Sequence, residues 1–267
     1  MSGTLGANLR VVAALGLRSV KQTFRRPQLM APIIVFPTLL LAIQVGGAGS
    51  AIHLHVGGIS FPHVDSFLQF MLAGAMMQSL MLAGNSGGIA LAVDIEMGFT
   101  DRLFAAPISR FSIVLGRLLG TAVLGALSAV WFMAIGLIFG VSIQEGVPGA
   151  LVTIALVAST AIAIGGIGAA IALRTGSSSV VQGLFPLVFV VLFLSSAFFP
   201  QNLMLEPAKT IANYNPLSFI VEGLRDALVF GFAGSDMLNA LLAVIGIGCV
   251  GLLLSAAAMR HRVRTGG

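Results

Sequence analysis

Long apolar runs dominate this sequence and alternate with short polar segments. Six of the runs come close to or exceed the roughly 20 residues that an α-helix needs to cross the hydrocarbon core of a bilayer. They cover approximately residues 27–47, 66–93, 111–140, 149–173, 180–199 and 237–259. The pattern predicts an all-α membrane protein with six transmembrane helices, folded as a single transmembrane domain over residues 1–267.

Residues 4–25, within an elbow segment spanning 1–26, repeat basic and apolar positions with the period of an amphipathic helix. One side of this helix collects the basic residues Arg10, Arg18, Lys21 and Arg25. Such a helix beside a span typically lies in the membrane interface, with its cations near anionic headgroups. A basic tail without regular structure is the alternative interpretation.

The stretch Asp94–Arg117 carries six charged residues in 24 positions, in a chain with only 9% charged residues. Isolated charges are costly inside hydrocarbon, so this stretch is predicted to be an aqueous loop, with its cytoplasmic core at 94–110. Gly98 should end the incoming helix, and residues 99–106 should form about two turns before Pro107. The short helix would present Phe99, Leu103 and Phe104 as apolar contacts, with Asp101 and Arg102 as polar ones.

A second informative segment, 200–235, is too polar and too rich in proline for a plain span. Asn215 followed by Pro216 predicts a helix N-terminus, and Arg225 can pair with Glu222 three residues earlier. The apolar stripe of this helix would lie opposite Glu222, Arg225 and Asp226. Half-polar helices at membrane depth must be buried in protein or line a cavity, so we predict outer re-entrant helices between spans five and six.

The distribution of Lys and Arg fixes the predicted topology. Twelve of these residues lie in segments assigned to the inside and two in segments assigned to the outside, so both termini are predicted to be cytoplasmic. The net charge of +5 reflects this asymmetry, and no basic patch suggests nucleic acid. The single cysteine, Cys249, is interpreted as a small core residue.

The predicted spans and loops lack the groups that would let this chain drive transport by an ion gradient, a proton gradient or its own ATP. Apart from Arg117, which is assigned to the charged loop, the spans contain no acidic or basic residue, which argues against ion-coupled or proton-coupled transport. Neither lysine lies in a glycine-rich phosphate-binding loop, so the chain is predicted to bind no ATP itself. The cytoplasmic helix over residues 99–106 is therefore the natural docking point for a separate ATPase.

The interior offers candidates for a substrate path. Met71, Gln78 and Asn85 share one face of the second span, and Phe185, Phe189 and Phe193 form a stripe on the fifth. They could form a methionine-lined and aromatic wall for an apolar or amphiphilic substrate. Contacts between helices or with lipid are the structural alternative.

The residues of the charged loop also resemble the motif of type 2 ABC exporter permeases. The matching positions are Glu96, Gly98, Asp101-Arg102-Leu103, Pro107, Ser109-Arg110 and Gly116-Arg117, followed downstream by Phe199-Pro200, Asn215-Pro216-Leu217 and Glu222-Gly223-Leu224-Arg225. The sequence is most similar to the daunorubicin-resistance and Nod-factor export branch. Phe99 stands where the broader family often has Thr, which leaves the finer assignment open.

The resemblance implies a non-catalytic permease in a bacterial plasma membrane, paired with a second copy as a homodimer or heterodimer. ATP and Mg²⁺ would bind the partner ATPase. By the same resemblance, Glu96 and residues 99–104 transmit motion from the ATPase, and the outer gate contains Pro200, Asn215, Pro216, Glu222 and Arg225. The cargo could be a drug, a lipid or a lipid-linked glycan.

Two other classes compete with this interpretation. The pattern Gly84-Asn85-Ser86-Gly87 matches the GxSG of rhomboid proteases, but all four histidines lie outside the predicted spans, where they could not serve as the base. A passive channel would require a polar lining. His53, His55 and His63 share a predicted outer loop, and metal binding there is a further open alternative.

Overall fold

The computed structural model describes residues 2–25, 27–48, 66–100, 110–232 and 235–265. Over these ranges the chain is helical and contains no strand, which confirms the predicted all-α class. The helices are α1 (Ser2–Phe24), α2 (Pro27–Ala48), α3 (Phe67–Glu96), α4 (Arg110–Ile138), α5 (Gly146–Thr175), α6 (Ser178–Gly183), α7 (Phe185–Phe193), α8 (Ala208–Tyr214), α9 (Pro216–Arg225) and α10 (Asp236–Thr265). A short 3₁₀ turn covers Gln201–Leu203, and a π-helical segment, Asp226–Phe230, follows α9.

Among the described residues, five helices are long and apolar enough to cross a membrane: α2, α3, α4, α5 and α10. They coincide with five of the six predicted spans. The predicted span over 180–199 differs, because α6 and α7 cover only Ser178–Phe193 and are interrupted at Leu184. Pro186 lacks the N–H that would continue the helix past this point. A run of 16 residues extends about 24 Å, less than the ~30 Å of hydrocarbon.

Helix α3 lies at the centre of the bundle and is buried along most of its length. It packs against α2, α4, α5 and α6, and α5 in turn packs against α10. Glycines set the closest approaches: a Cβ on Gly88 of α3 would lie 2.8 Å from the Cα of Gly168 on α5. A Cβ on Gly251 of α10 would similarly lie 3.1 Å from the carbonyl oxygen of Ala163. Small residues let these backbones touch, which is how helices pack in membranes.

Helix α2 is hydrogen-bonded to both α3 and α4, and the bond to α3 uses a backbone carbonyl that a proline leaves without a partner in its own helix. Pro37 lacks an N–H, so the carbonyl of Ile33 has no partner within the helix. The hydroxyl of Ser79 on α3 donates to that oxygen at 2.6 Å. On the other side, the indole N–H of Trp131 on α4 donates to Thr38 Oγ1 at 3.0 Å. These bonds supply partners that hydrocarbon cannot.

Large apolar side chains remain exposed on the outward faces of the long helices, as expected for surfaces that meet lipid. Examples are Leu39 on α2, Ile138 on α4 and Leu253 on α10. The prediction that Cys249 is a core residue is wrong, because this side chain is exposed on α10. Only one side of α10 packs against α5 and α9, and Cys249 lies on the other.

Candidate functional site

Asp94 near the end of α3 and Arg117 near the start of α4 form a buried ion pair. The same guanidinium donates to the carbonyl of Ala90 on α3 and to Oε1 of Gln22 on α1, both at 3.0 Å. The backbone carbonyl of Arg117 accepts a hydrogen bond from the hydroxyl of Ser19 on α1 at 3.1 Å. Arg117 therefore connects α1, α3 and α4. We call these five residues the Arg117 cluster.

The prediction that the whole stretch Asp94–Arg117 is an aqueous loop is wrong at both ends. Helix α3 continues to Glu96, and α4 already begins at Arg110. Only an isolated charge is excluded from an apolar interior, whereas a paired and hydrogen-bonded charge can be buried. The spans therefore do contain ionisable groups, because Asp94 and Arg117 lie on helices long enough to cross a membrane.

Helix α1 lies against α4 at very short range beside this cluster. A Cβ on Gly116 would approach Leu15 Cβ to 2.7 Å, and a Cβ on Gly120 would overlap the hydroxyl of Ser19. The GxxxG spacing of these two glycines therefore matches the crossing point of the two helices. The predicted N-terminal helix is confirmed as a helix, and its inner side is fixed to the bundle rather than free.

The predicted docking residues that the structure describes connect the end of α3 to two other elements. Glu96 accepts hydrogen bonds from the backbone N–H (2.6 Å) and hydroxyl (3.1 Å) of Ser178, at the start of α6. Gly98 adopts φ +66°, so the predicted helix end is confirmed there. The Phe99 ring lies under the guanidinium of Arg18, 3.7 Å from the centroid. The remaining predicted docking residues lie outside the described residues: Asp101, Arg102, Leu103 and Phe104.

A second charged cluster surrounds Arg225, whose side chain is only 2% exposed. Nη1 donates to Glu222 Oε1 at 2.7 Å, while Nη2 donates to the carbonyls of Ser196 (2.9 Å) and Ala197 (3.3 Å). The guanidinium also stacks on the ring of Phe70 on α3, 3.8 Å from its centroid. Desolvation by burial lowers the pKa of Arg225, and the charge and hydrogen bond of Glu222 partly offset the shift. We call these five residues the Arg225 cluster.

Asn215 joins the start of α9 to the end of α7. Its side-chain oxygen accepts from the N–H of Leu217 (3.0 Å), which confirms the predicted N-cap with Pro216 at the first helical position. Its amide nitrogen donates to the carbonyls of Val191 (2.8 Å) and Leu194 (3.1 Å). Together with Arg225, Asn215 supplies partners for the carbonyls exposed where α7 ends. Pro200, the other predicted gate residue, is buried just beyond this break.

The prediction that Arg225 and Asp226 lie on a polar face opposite an apolar stripe is wrong, because both side chains are buried and only Glu222 is partly exposed. Helix α9 packs against α3 and α10 at once, so it has little free surface. The pKa of Asp226 is raised to about 6, first by desolvation on burial and then by the nearby carboxylates of Asp236 and Glu222, against a hydrogen bond from the N–H of Met237 that lowers it.

This environment makes stability depend on the protonation of Asp226. The pKa in the folded state exceeds 3.8, the ordinary value for an aspartate, so the folded protein takes up the proton more readily between pH 3.8 and about 6. Stability therefore falls as the pH rises through this window, and Asp226→Asn should remove that fall. Thermal unfolding of the purified protein at pH 5 and pH 7.5 checks this, with Glu206→Gln controlling for the lost charge. An unchanged pH dependence in Asp226→Asn would contradict the assignment.

The predicted substrate-path residues do not share one surface in the described chain. Met71 and Gln78 lie inside the bundle on α3, and the Gln78 Nε2 has no hydrogen-bond partner among the described residues. Asn85, farther along α3, lines a cavity of about 230 Å³ that also involves Leu217 of α9 and Ile247 of α10.

Phe189 of α7 faces α2 rather than this interior. Phe189 meets Phe36 of α2 edge-on, with ring centroids 6.1 Å apart, and lies 6.3 Å from Phe193. Phe193 in turn stacks on Phe198 at 4.8 Å. The side chain of Phe185 lies outside the described part of the chain. Interior amides and outward aromatics therefore occupy different faces of the bundle.

The serine of the rhomboid-like pattern bonds within its own helix, since Ser86 Oγ donates to the carbonyl of Ala83 at 2.7 Å. Of the histidines, His53, His55 and His63 lie outside the described residues, and His261 is exposed near the end of α10. The described residues contain no group of three or more acidic, histidine or cysteine side chains that could hold a metal ion.

These features define a polytopic α-helical membrane protein with buried arginine clusters near both ends of its central helix. The profile of the ABC-2 type transporter family matches residues 10–229, and the chain belongs to that family. The resemblance predicted from the loop motif is thereby confirmed.

Individual relatives are distant in sequence. The chain is 24% identical over 172 residues to a protein named as a doxorubicin resistance ABC transporter permease, DrrC, of Mycobacterium tuberculosis, covering 63% of this chain and 62% of that protein. It is 25% identical over 179 residues to the daunorubicin resistance ABC transporter permease DrrB1 of Streptomyces coeruleorubidus, covering 67% and 63%. It is 27% identical over 222 residues to a protein named as a transport permease, ycf38, of Porphyra purpurea, covering 81% and 73%. The match therefore spans less than two thirds of the two drug-resistance relatives.

Proposed function

We propose that this chain is the permease subunit of an ATP-driven exporter and works with a separate ABC ATPase. Membership of the ABC-2 type transporter family carries this proposal, and relatives named as drug-resistance permeases support the outward direction. The chain itself performs no hydrolysis, and ATP with Mg²⁺ binds the partner. The proposed setting is a bacterial plasma membrane, with both termini in the cytoplasm and the short, interrupted α6–α7 segment as the sixth crossing beside the five long helices.

The connections around the end of α3 support a transmission role. Phe99 contacts α1 through Arg18, and Glu96 holds the start of α6 through Ser178. Arg117, on the other side of the loop, is tied to α1 and α3. A push on the loop between α3 and α4 would therefore reach three helices at once.

The Arg225 cluster is the proposed outer gate, formed by a re-entrant segment within 200–235. Arg225 and Asn215 hold the open end of α7, so movement of α9 would carry that end with it. A second permease copy, identical or related, would complete the path. The proposed cargo is an apolar or amphiphilic molecule such as a drug, a lipid or a lipid-linked glycan, because the interior of α3 combines methionines with amides.

Docking is tested by co-purifying the permease with its ATPase subunit. We expect Phe99→Asp and Arg102→Glu to abolish co-purification and export, because each removes a contact from the predicted coupling helix. Phe139→Asp is the matched control, since Phe139 is exposed just beyond the end of α4 that lies farthest from the loop. Retention of the ATPase and of full export by both loop variants, at unchanged abundance, would refute the proposal.

The alternative functions make different predictions in the same preparation. A passive channel would conduct in bilayers without ATPase or ATP. A protease would lose activity in Ser86→Ala, whereas a permease should keep its export. No feature of the described residues favours either alternative.

A further inference from the structure

A cavity of about 250 Å³ opens beside the Arg117 cluster, between α1, α3, α4 and α6. Ile89, Val93 and Leu124 contribute aliphatic side chains to its wall. Two hydroxyl groups in the wall already donate hydrogen bonds to the backbone of their own helices. Ser86 donates to Ala83 O at 2.7 Å, and Thr121 donates to Leu118 O at 2.6 Å. The third, on Ser19, donates to the backbone of Arg117. These residues therefore present mainly carbon to the cavity.

The helices cannot close this space by moving together. Helices α1 and α4 already touch at Gly116 and Gly120, where even a methyl group would clash. An empty apolar cavity forfeits dispersion contacts and destabilises a packed protein. The wall also contains the polar side chains of Gln22, Arg117 and Gln182, but most of its surface is apolar. Water is a poor occupant of the apolar part, since it needs several polar partners. A hydrocarbon chain meets the shape and the chemistry.

The cavity continues into a basic recess on α1. Gln22 lines both spaces, and the recess also contains Arg18, Lys21 and Arg25. Lys21 and Arg25 are exposed, and α1 contains no acidic residue. Leu17, exposed in the same recess, adds an apolar contact. Among the described residues no acidic side chain pairs with Lys21 or Arg25. Two such cations beside an apolar cavity complement a phosphate group attached to an acyl chain.

We propose that the cavity between α1, α3 and α4 binds one acyl chain of an anionic phospholipid, whose phosphate lies against Lys21 and Arg25. The lipid would act as a fixed part of the structure that keeps α1 in place beside the Arg117 cluster. This site does not depend on the ATPase, so its test is independent of the export proposal.

The test is native mass spectrometry of the purified full-length protein, titrated with phosphatidylglycerol or phosphatidylcholine of identical chains. We expect one phosphatidylglycerol to bind at least about tenfold more tightly than phosphatidylcholine. Lys21→Glu with Arg25→Glu should remove that preference. Arg10→Glu with Arg260→Glu makes the same change of charge at exposed positions outside the recess. This control variant should keep the preference for phosphatidylglycerol.

The acyl chain is tested separately. Ile89→Phe fills the cavity and should weaken both lipids at least about tenfold, while glycerol phosphate, which has no acyl chain, should not compete with either. Equal binding of the two lipids by the unmodified protein would overturn the proposal. An equal loss of the preference for phosphatidylglycerol in the recess variant (Lys21→Glu with Arg25→Glu) and in the control variant (Arg10→Glu with Arg260→Glu) would overturn it as well. If Ile89→Phe does not fold, the pair of charge variants decides the question alone.

Discussion

Replacing Arg225 by alanine should lower the free energy of unfolding by about 3–5 kcal/mol, the range for removing one partner of a buried ion pair. The substitution leaves the carbonyls of Ser196 and Ala197 without their donor, and Glu222 without its counter-charge. It also opens a space over the Phe70 ring. Thermal unfolding of the purified protein should show the change as a large fall in the midpoint temperature.

Two further variants separate the contributions in this cluster. Arg225→Lys keeps the charge but loses the planar guanidinium that donates to Glu222 and the two carbonyls together. Its free energy of unfolding should therefore lie between those of Arg225→Ala and the unmodified protein. Glu222→Gln should cost less, about 1–2 kcal/mol, because the Glu222 side chain is 30% exposed and the glutamine Oε1 can still accept from Arg225, although the buried guanidinium loses its counter-charge. If Arg225→Ala costs no more than Glu222→Gln, the buried cluster does not stabilise the fold as described.

Local signals explain how much of the fold the sequence could predict. The apolar runs located five helices that are long and apolar enough to cross a membrane, because span length and hydropathy follow directly from bilayer thickness. Asn215-Pro216 predicted the start of α9, since an N-cap and a first-turn proline act within a few residues of chain. Gly98 predicted the end of α3 for the same reason.

The errors concern contacts between residues far apart in the chain. The Asp94–Arg117 pair joins two helices, and hydropathy could only register each residue as a charge to be kept in water. Arg225 donates to the carbonyls of Ser196 and Ala197, just beyond the end of α7. The hydrophobic periodicity gave no sign that this helix ends at Phe193. The spacing of 23 residues between Asp94 and Arg117, across a short loop, was the one available signal that two antiparallel helix ends could pair.

The two clusters also explain why α3 is central. Phe70 lies near its start and Asp94 near its end, about 36 Å apart at 1.5 Å per residue. Each cluster ties the helix to a segment that departs from regular spans: α9 at one end and α1 at the other. Helix α3 thus forms a rigid connection between the proposed gate and the proposed docking loop.

Breaking the Asp94–Arg117 pair from one side should also be strongly destabilising, by about 3–5 kcal/mol in Asp94→Asn, because the buried guanidinium of Arg117 then keeps its charge without compensation. The double replacement Asp94→Leu with Arg117→Met should regain most of this loss, since apolar residues can substitute for a buried pair. Arg174→Met, at an exposed arginine, controls for the lost charge and should change stability by no more than about 0.5 kcal/mol.

Export then distinguishes a structural role for Arg117 from a role in coupling. The double variant restores packing between α3 and α4, but it cannot restore the hydrogen bond from Arg117 to Gln22 on α1. We therefore expect a stable permease that still binds the ATPase yet exports far less per ATP hydrolysed. Full export by this stable double variant would mean that the pair serves only to hold two helices together, and that the push on the loop reaches the bundle through Phe99 and Glu96 instead.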